Sequence, residues 1–400
     1  MKKLLTTLFA VAILVIPKES HSQITAKCPV YQFEYTAMLP ATPVRNQAVT
    51  GTCWSFATTS FFESELLRMG KGEFDLSEMH TVRYNYINRV KDNFLKNGKG
   101  NLQEGSLSNM LFDVVNEHGI VPEVVYNGIN YNSATHNHTL LNEYVNVLAQ
   151  VPVKHKEITP EFDKLLNSLL DIYLGVVPEK FICKGEEYTP KSFYKSLGLN
   201  TNDYIFLTSF THHPYYKEFV LEIPDNWNGG RYYNLPLDEF IRVIDNSIEK
   251  GFTVCWDGDM SEKSYSDKAG LAMMPTPNEL ATEEGTKLSF NKIYTEVKTD
   301  AASRQMGFDS KATTDDHLMH LTGKAKDKNG TVYYVVKNSW KPEINRFGGY
   351  NHLSLEYLKA KTISILVHKD AVPAEILKKI GLLVKATPPS LASEYSDILR

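Results

Sequence analysis

Cysteine is scarce in this sequence: Cys28, Cys53, Cys183 and Cys255 are scattered over 400 residues, and no two form a Cys-x-x-Cys pair. That excludes a disulfide-dense scaffold and gives no support to a structural zinc or a thioredoxin-like redox centre. Charge of one sign is also lacking. Lys and Arg number 43 against 47 Asp and Glu, with no long block of either sign, so there is no electrostatic reason to expect sequence-independent nucleic-acid binding. Gly-rich phosphate loops, Gly-x-Ser-x-Gly elbows, dinucleotide fingerprints and internal repeats are absent too. The apolar fraction of 42% is that of an ordinary globular chain, large enough for one large or two closely packed domains.

One long apolar run does occur, at the very start. Met1-Lys2-Lys3 precedes an apolar stretch over 4–17, and a polar stretch with Ser20 and Ser22 follows. The run is too short to span a bilayer comfortably and has the flanks of a secretory signal. We expect residues 1–22 to be a signal peptide and the exported chain, periplasmic or secreted, to begin near Gln23. No cysteine directly follows the apolar run, so no lipid anchor is expected. No later segment is apolar enough to cross a membrane.

Apolar periodicity predicts helices over 53–69, 76–90, 106–118, 159–173, 237–250 and 374–380. Short β-branched and aromatic runs predict strands over 205–209, 217–223, 253–256, 317–324, 332–338 and 362–368. Helices first and strands later is an α+β pattern with the two kinds of element segregated along the chain. The expected division is 23–136 (helical half), 137–200 (helical insertion), 201–372 (β-rich half) and 373–400 (terminal helix and tail).

The stretch Gln47-Ala48-Val49-Thr50-Gly51-Thr52-Cys53-Trp54 carries the chemistry. A thiol at the first turn of a helix meets exposed N–H groups and the positive end of the helix dipole, both of which favour thiolate. Gly51 permits a sharp turn and close approach of a substrate carbonyl. The Cys53 N–H and the Gln47 side-chain amide are candidate oxyanion donors. Among twelve histidines, His317 stands out because it opens a strand that turns back at Asp327-Lys328-Asn329-Gly330. Counting from that turn places it within about two residues of Asn338. An Asn oxygen there would hold the imidazole in the productive tautomer, with Trp340 shielding the bond.

The other candidates are weaker. His320 lies at an odd offset from His317 and should face the opposite side of the sheet. In His212-His213-Pro214, neighbouring residues on a strand would point apart, and no carboxylate or cysteine stands at ligand spacing. Asp257 and Asp259 read as a turn with solvated carboxylates, short of the oxygen ligands a calcium loop needs. No metal is expected.

The Gln47…Cys53-Trp54 run, Asp316-His317 and Lys337-Asn338-Ser339-Trp340 resemble the active-site blocks of papain-like cysteine peptidases. Thr50 stands where secreted relatives have a disulfide-forming cysteine. The Cys53 to His317 separation is about twice the ~130–150 residues usual in papain relatives. Both features are similar to the bleomycin hydrolase/aminopeptidase C branch, as are Leu76-Ser77-Glu78 and the stretches 100–119 and 234–259.

That resemblance implies a papain-like two-part fold: a helical half carrying the Cys53 helix, an antiparallel β-barrel-like half, and an insertion between. It implies Cys53 as nucleophile, His317 as base and acid, Asn338 as orienter and Gln47 as oxyanion donor, acting on peptides through a thioester without metal or cofactor. It further implies hexamers and aminopeptidase action, with the C-terminus lying in the cleft. The sequence departs from this pattern in running on through 382–400 and in having Lys341 where Gly is usual. The alternatives are a secreted endopeptidase or a catalytically silent peptide-binding scaffold.

Overall fold

A computed structural model describes residues 30–284 and 287–382. The expected signal peptide, Cys28 and the tail beyond Leu382 lie outside the described residues.

Strand β1 (Phe33–Met38) leads to α1 (Cys53–Arg68), α2 (Glu78–Leu95) and α3 (Ser108–His118). Local chemistry sets these boundaries. Ser77 accepts the His80 N–H at the start of α2, and Gly119 ends α3 with a positive φ. The next segment holds α4 (Thr139–Leu148), α5 (Gln150–His155), α6 (Pro160–Leu174), β2 (Phe181–Cys183), β3 (Glu186–Tyr188) and α7 (Pro190–Leu197). The insertion is therefore helical except for the β2–β3 hairpin. Its Leu141, Val145, Leu166 and Leu170 join α1–α3 in one apolar core.

From β4 (Tyr204–Thr208) the chain builds a large sheet. It continues through β5 (Glu218–Val220), β6 (Arg231–Asn234), α8 (Leu237–Glu249), β7 (Val254–Gly258), β8 (Tyr265–Ser266), β9 (Leu271–Ala272), α9 (Pro277–Ala281) and α10 (Ala301–Asp309). Last come β10 (His317–Asp327), β11 (Val332–Lys337), β12 (Tyr350–Ser354), α11 (Leu355–Lys361), β13 (Thr362–His368) and α12 (Ala374–Lys379). The order is β5-β6-β4-β13-β7-β10-β11-β12-β9-β8, with β1 also paired to β10.

The expected barrel is not there. The sheet is open, and each edge is finished by a strand of two or three residues from a separate excursion, too short to pair around a closed ring. Two of its pairings, β4–β6 and β9–β12, are parallel. One face packs on α8, α11 and α12 as a second core. The other meets α1, so the boundary between helical and sheet halves runs along α1 and β10. Leu318 belongs to the helical core and Met319 to the sheet core, as strand alternation requires.

Candidate active site

Cys53 is the first residue of α1. The N-cap residue Thr52 makes no side-chain cap, its backbone O accepting the Ser55 and Phe56 N–H groups instead, so no capping side chain covers the Cys53 end of the helix. The preceding loop is held by hydrogen bonds. Thr50 Oγ1 donates to Gln47 O (2.9 Å), Gln47 Nε2 donates to Thr50 O (2.8 Å), and Gly51 N donates to Glu104 Oε2 (2.6 Å). Gln47 is buried, its Oε1 accepting from Ser339 Oγ and its backbone N–H bonding Ser339 O. One N–H of its amide goes to Thr50, which leaves the second for a ligand.

His317 lies at the start of β10, opposite Gly258 of β7. Its Nε2 is 2.7 Å from Asn338 Oδ1, and Trp340 stacks on the ring at 5.7 Å with planes 4° apart. The β10–β11 register pairs His320 with Lys337, so Asn338 sits two residues short of the position facing His317, within the expected offset. Asn338 has just left β11, its N–H bonding Gly349 O.

A residue that sequence reasoning missed fixes the tautomer. Asp267 Oδ1 accepts from Asn338 Nδ2 (2.8 Å), Tyr265 OH (2.8 Å) and Asn351 Nδ2 (2.8 Å). A carboxylate only accepts, so the amide nitrogen of Asn338 must face Asp267 and its oxygen must face His317. The imidazole therefore carries its proton on Nε2, and Nδ1 is the basic nitrogen.

Cys53 is 9% exposed and touches the residue after His317. Burial pushes its thiol up to about 12, against the Leu318 N–H; Asp315, Asp225 and Asp257 push it further up. Burial also lowers the His317 imidazolium, opposed by Asn338 and by the charge of Asp267. Both shifts come from burial and oppose charge on the pair, against the thiolate that the start of a helix was expected to favour. A mainly apolar cavity of about 490 Å³, lined by Asn46, Val49, Trp340 and Ile344 among others, opens on the Gln47 and Trp340 side.

Three other expectations are resolved by position. His320 is buried against α1, with Nδ1 2.8 Å from Ser60 Oγ. Asp257 and Asp259 are not solvated turn residues. Asp257 is in β7 and Asp259 directly follows it, both buried, with Asp259 3.5 Å from Lys361 Nζ. His212 and His213 lie in a bend after β4 rather than on a strand, so both rings converge on Glu222, at 3.2 and 2.5 Å. Gln305 Nε2 faces His212 Nδ1 at 3.0 Å, while Gln305 Oε1 accepts from Thr211 N. Nδ1 is thus an acceptor and Nε2–H points at Glu222. Metal-bound histidines have the reverse polarity, which His212 lacks here; the three side chains nevertheless stand close enough together to hold a metal ion, which corrects the expectation that no carboxylate lay at ligand spacing.

The sequence profile of the Peptidase C1-like family matches residues 16–389. The chain belongs to this family. It is similar to an aminopeptidase C of Lactococcus lactis subsp. cremoris, 26% identical over 86% of this chain and 84% of the relative. It is also similar to a mitochondrial cysteine proteinase 1 of Saccharomyces cerevisiae, 21% identical over 87% and 79%. The crystal structure of PepW from Lactobacillus rhamnosis shares the fold, with a TM-score of 0.67 at 22% identity over 87% and 84% of the two chains. The protein is a papain-like cysteine peptidase, with the mixed helix-and-sheet architecture of that class.

Proposed function

We propose that the peptidase is an aminopeptidase that works through a thioester on Cys53. The observation that carries the chemistry is the chain of contacts Asp267–Asn338–His317, which leaves imidazole Nδ1 as a base beside the nucleophile's neighbour Leu318. As sulfur attacks the peptide carbonyl, Nδ1 takes the thiol proton and later gives it to the leaving amine. The oxyanion meets the Cys53 N–H and the second N–H of Gln47 Nε2. Water then hydrolyses the thioester, with His317 again as base. The exopeptidase assignment is supported by the likeness to aminopeptidase C along most of the chain.

Export is supported by the basic–apolar–polar N-terminus; among the described residues no helix is long and apolar enough to cross a membrane. Self-association is supported by Leu140, Tyr144, Val147 and Val151, exposed at helical spacing along α4 and α5.

The test compares a free-amino dipeptide amide with its N-acetylated counterpart under reducing conditions. Faster turnover of the free amine is expected; faster turnover of the blocked peptide would replace the aminopeptidase reading with an endopeptidase. Cys53→Ala should abolish both, and full activity in that variant would overturn the mechanism. Light scattering reads the oligomer, and N-terminal sequencing of the exported protein reads the cleavage point.

A further inference from the structure

Three carboxylates outside the catalytic relay meet beside Cys53. Asp257 of β7 stands opposite Leu318 of β10 and Ser364 of β13. Two residues earlier on the same strand face, Cys255 packs on Thr58 of α1 and Ser108 of α3. Asp257 therefore projects toward the helical half, one strand repeat nearer His317. Asp315, two residues before His317, faces it. From the helical side, Asp225 lies so close to Gly105 that a Cβ there would come within 2.0 Å of Oδ2. Gly105 follows Glu104, which holds the Gly51 N–H and the Trp54 indole.

These carboxylates are poorly compensated. Asp225 has Asn101 Nδ2 at 3.3 Å and the charge of Arg89 nearby. Asp257 Oδ2 accepts from Ser364 Oγ at 2.9 Å. Asp257 is 2% exposed, and neither its Oδ1 nor Asp315 Oδ2 has any donor other than a proton shared between these two carboxyls. A buried pair of facing carboxylate oxygens requires a proton or a cation between them. Ordinary core packing would have supplied a lysine or arginine, or replaced the pair by apolar side chains.

Direction along the cleft follows from the chemistry. His317 must protonate the leaving amine, so that part of the substrate runs past Trp340 and Gln47. The acyl part runs the other way, toward Gly105 and the carboxylates. We propose that Asp225, Asp257 and Asp315 form a subsite for a cationic nitrogen on the acyl side of the substrate. The nitrogen is either the terminal ammonium or a Lys or Arg side chain.

This rests on the peptidase reading above and deepens it. Burial pushes Asp257 up to about 7, and burial together with Asp257 raises Asp315 well above the usual carboxylate range. An arriving ammonium displaces the proton held between them. The same three carboxylates push the Cys53 thiol up, so a bound cation also eases thiolate formation. A cationic substrate thereby assists activation of the nucleophile that cleaves it.

The test uses four fluorogenic amides: Ala-Ala, acetyl-Ala-Ala, acetyl-Lys-Ala and acetyl-Leu-Ala. In the wild-type enzyme at least one cationic member should exceed its neutral partner by about tenfold or more in kcat/KM. The Ala-Ala pair reads a terminal ammonium and the Lys/Leu pair reads a side chain. Asp315→Asn and Asp225→Asn should each shrink that preference, read as the ratio of cationic to neutral kcat/KM within one variant, to less than about threefold. An undiminished preference in both variants, or equal loss on neutral substrate, overturns the subsite. Binding of the same two pairs, Ala-Ala against acetyl-Ala-Ala amide and acetyl-Lys-Ala against acetyl-Leu-Ala amide, to Cys53→Ala protein, measured by calorimetry, gives an independent readout. A cationic preference there without any wild-type hydrolysis would keep the subsite and sink the peptidase mechanism; no preference there removes the subsite whatever the kinetics.

Discussion

Replacing Asp267 by Asn should damage catalysis without touching nucleophile, base or orienter. Oδ1 of Asp267 collects three donors, from Tyr265, Asn338 and Asn351, each at 2.8 Å. Bonds to a charged acceptor are worth about 1.5–3 kcal/mol and neutral ones about 0.5–1.5 kcal/mol, so three weakened bonds cost at most about 3–4.5 kcal/mol of stability. The larger consequence is orientational. A neutral amide at 267 no longer requires Asn338 to present its oxygen to His317, and the flipped Asn338 sets an N–H donor against imidazole Nε2–H. Outer partners of an oriented imidazole are typically worth about tenfold to hundredfold, here about 1.4–2.8 kcal/mol of transition-state stabilisation.

Steady-state kinetics against pH on a free-amino dipeptide amide checks this. The plateau of kcat/KM should fall by that factor, and its acid limb should move to lower pH. The sign follows from charge: Asp267 raises the His317 imidazolium pKa, so its removal keeps the imidazole neutral to lower pH. General damage to the site would lower the plateau without an acidward shift. In an Asn338→Ala background the Asp267→Asn change should lose most of its kinetic effect, because its route of action is gone. A kcat/KM within about twofold of wild type, or an undiminished effect in the Asn338→Ala background, refutes the orienting role.

Gln47→Ala should lower kcat by about a hundredfold with little change in KM, since its second amide N–H acts on the oxyanion; a loss under threefold in steady-state assays assigns that donor elsewhere. Gly105→Ala should cost about 1–3 kcal/mol in urea unfolding, because the new methyl meets Asp225 Oδ2 at 2.0 Å and one of the two must shift. His80 is buried with neither ring nitrogen partnered, and burial pushes its pKa from 6.5 down to about 3. Its contribution to stability is fully present above pH 6.5 and is lost as pH falls toward 3. Between pH 6.5 and 4.5 that loss is about 2–3 kcal/mol. His80→Leu should therefore gain on wild type in thermal melts by that amount over the same window, and parallel pH profiles would contradict it.

What was legible in the sequence is what is local in the chain. Gly51, Cys53 and Trp54 are contiguous with a helical apolar pattern, and one turn at Asp327–Gly330 brings His317 back to Asn338. Asp267 was invisible for the opposite reason. It comes from the segment between β8 and β9, 71 residues from Asn338, and no local periodicity distinguishes it from a surface acid. Asp257 was misread because a Trp-Asp-Gly-Asp string has turn composition, whereas pairing with both β10 and β13 makes it a central strand. The His212–His213 geometry failed for a related reason: strand alternation was assumed for residues that lie in a bend. The open sheet could not be foreseen, since its edge strands are two or three residues long and carry no alternation to read.

The same long-range logic explains how the catalytic pieces stay in register although they come from different halves. Lys337, the residue before Asn338, is buried and donates to Ser60 Oγ at 2.7 Å and Thr42 Oγ1 at 3.1 Å. Thr42 in turn donates to Glu63 of α1, and Ser60 also meets His320 of β10. Two strands of the sheet are thus joined by polar contacts to the helix whose first residue is the nucleophile. An apolar seam would permit sliding at small energetic cost, whereas displacing these groups leaves buried donors and acceptors unpaired at about 1–3 kcal/mol each. The polar network beneath the cleft therefore ties the helix that begins at Cys53 to the two strands that carry His317 and lead into Asn338, and the proposed catalytic pairing depends on that tie.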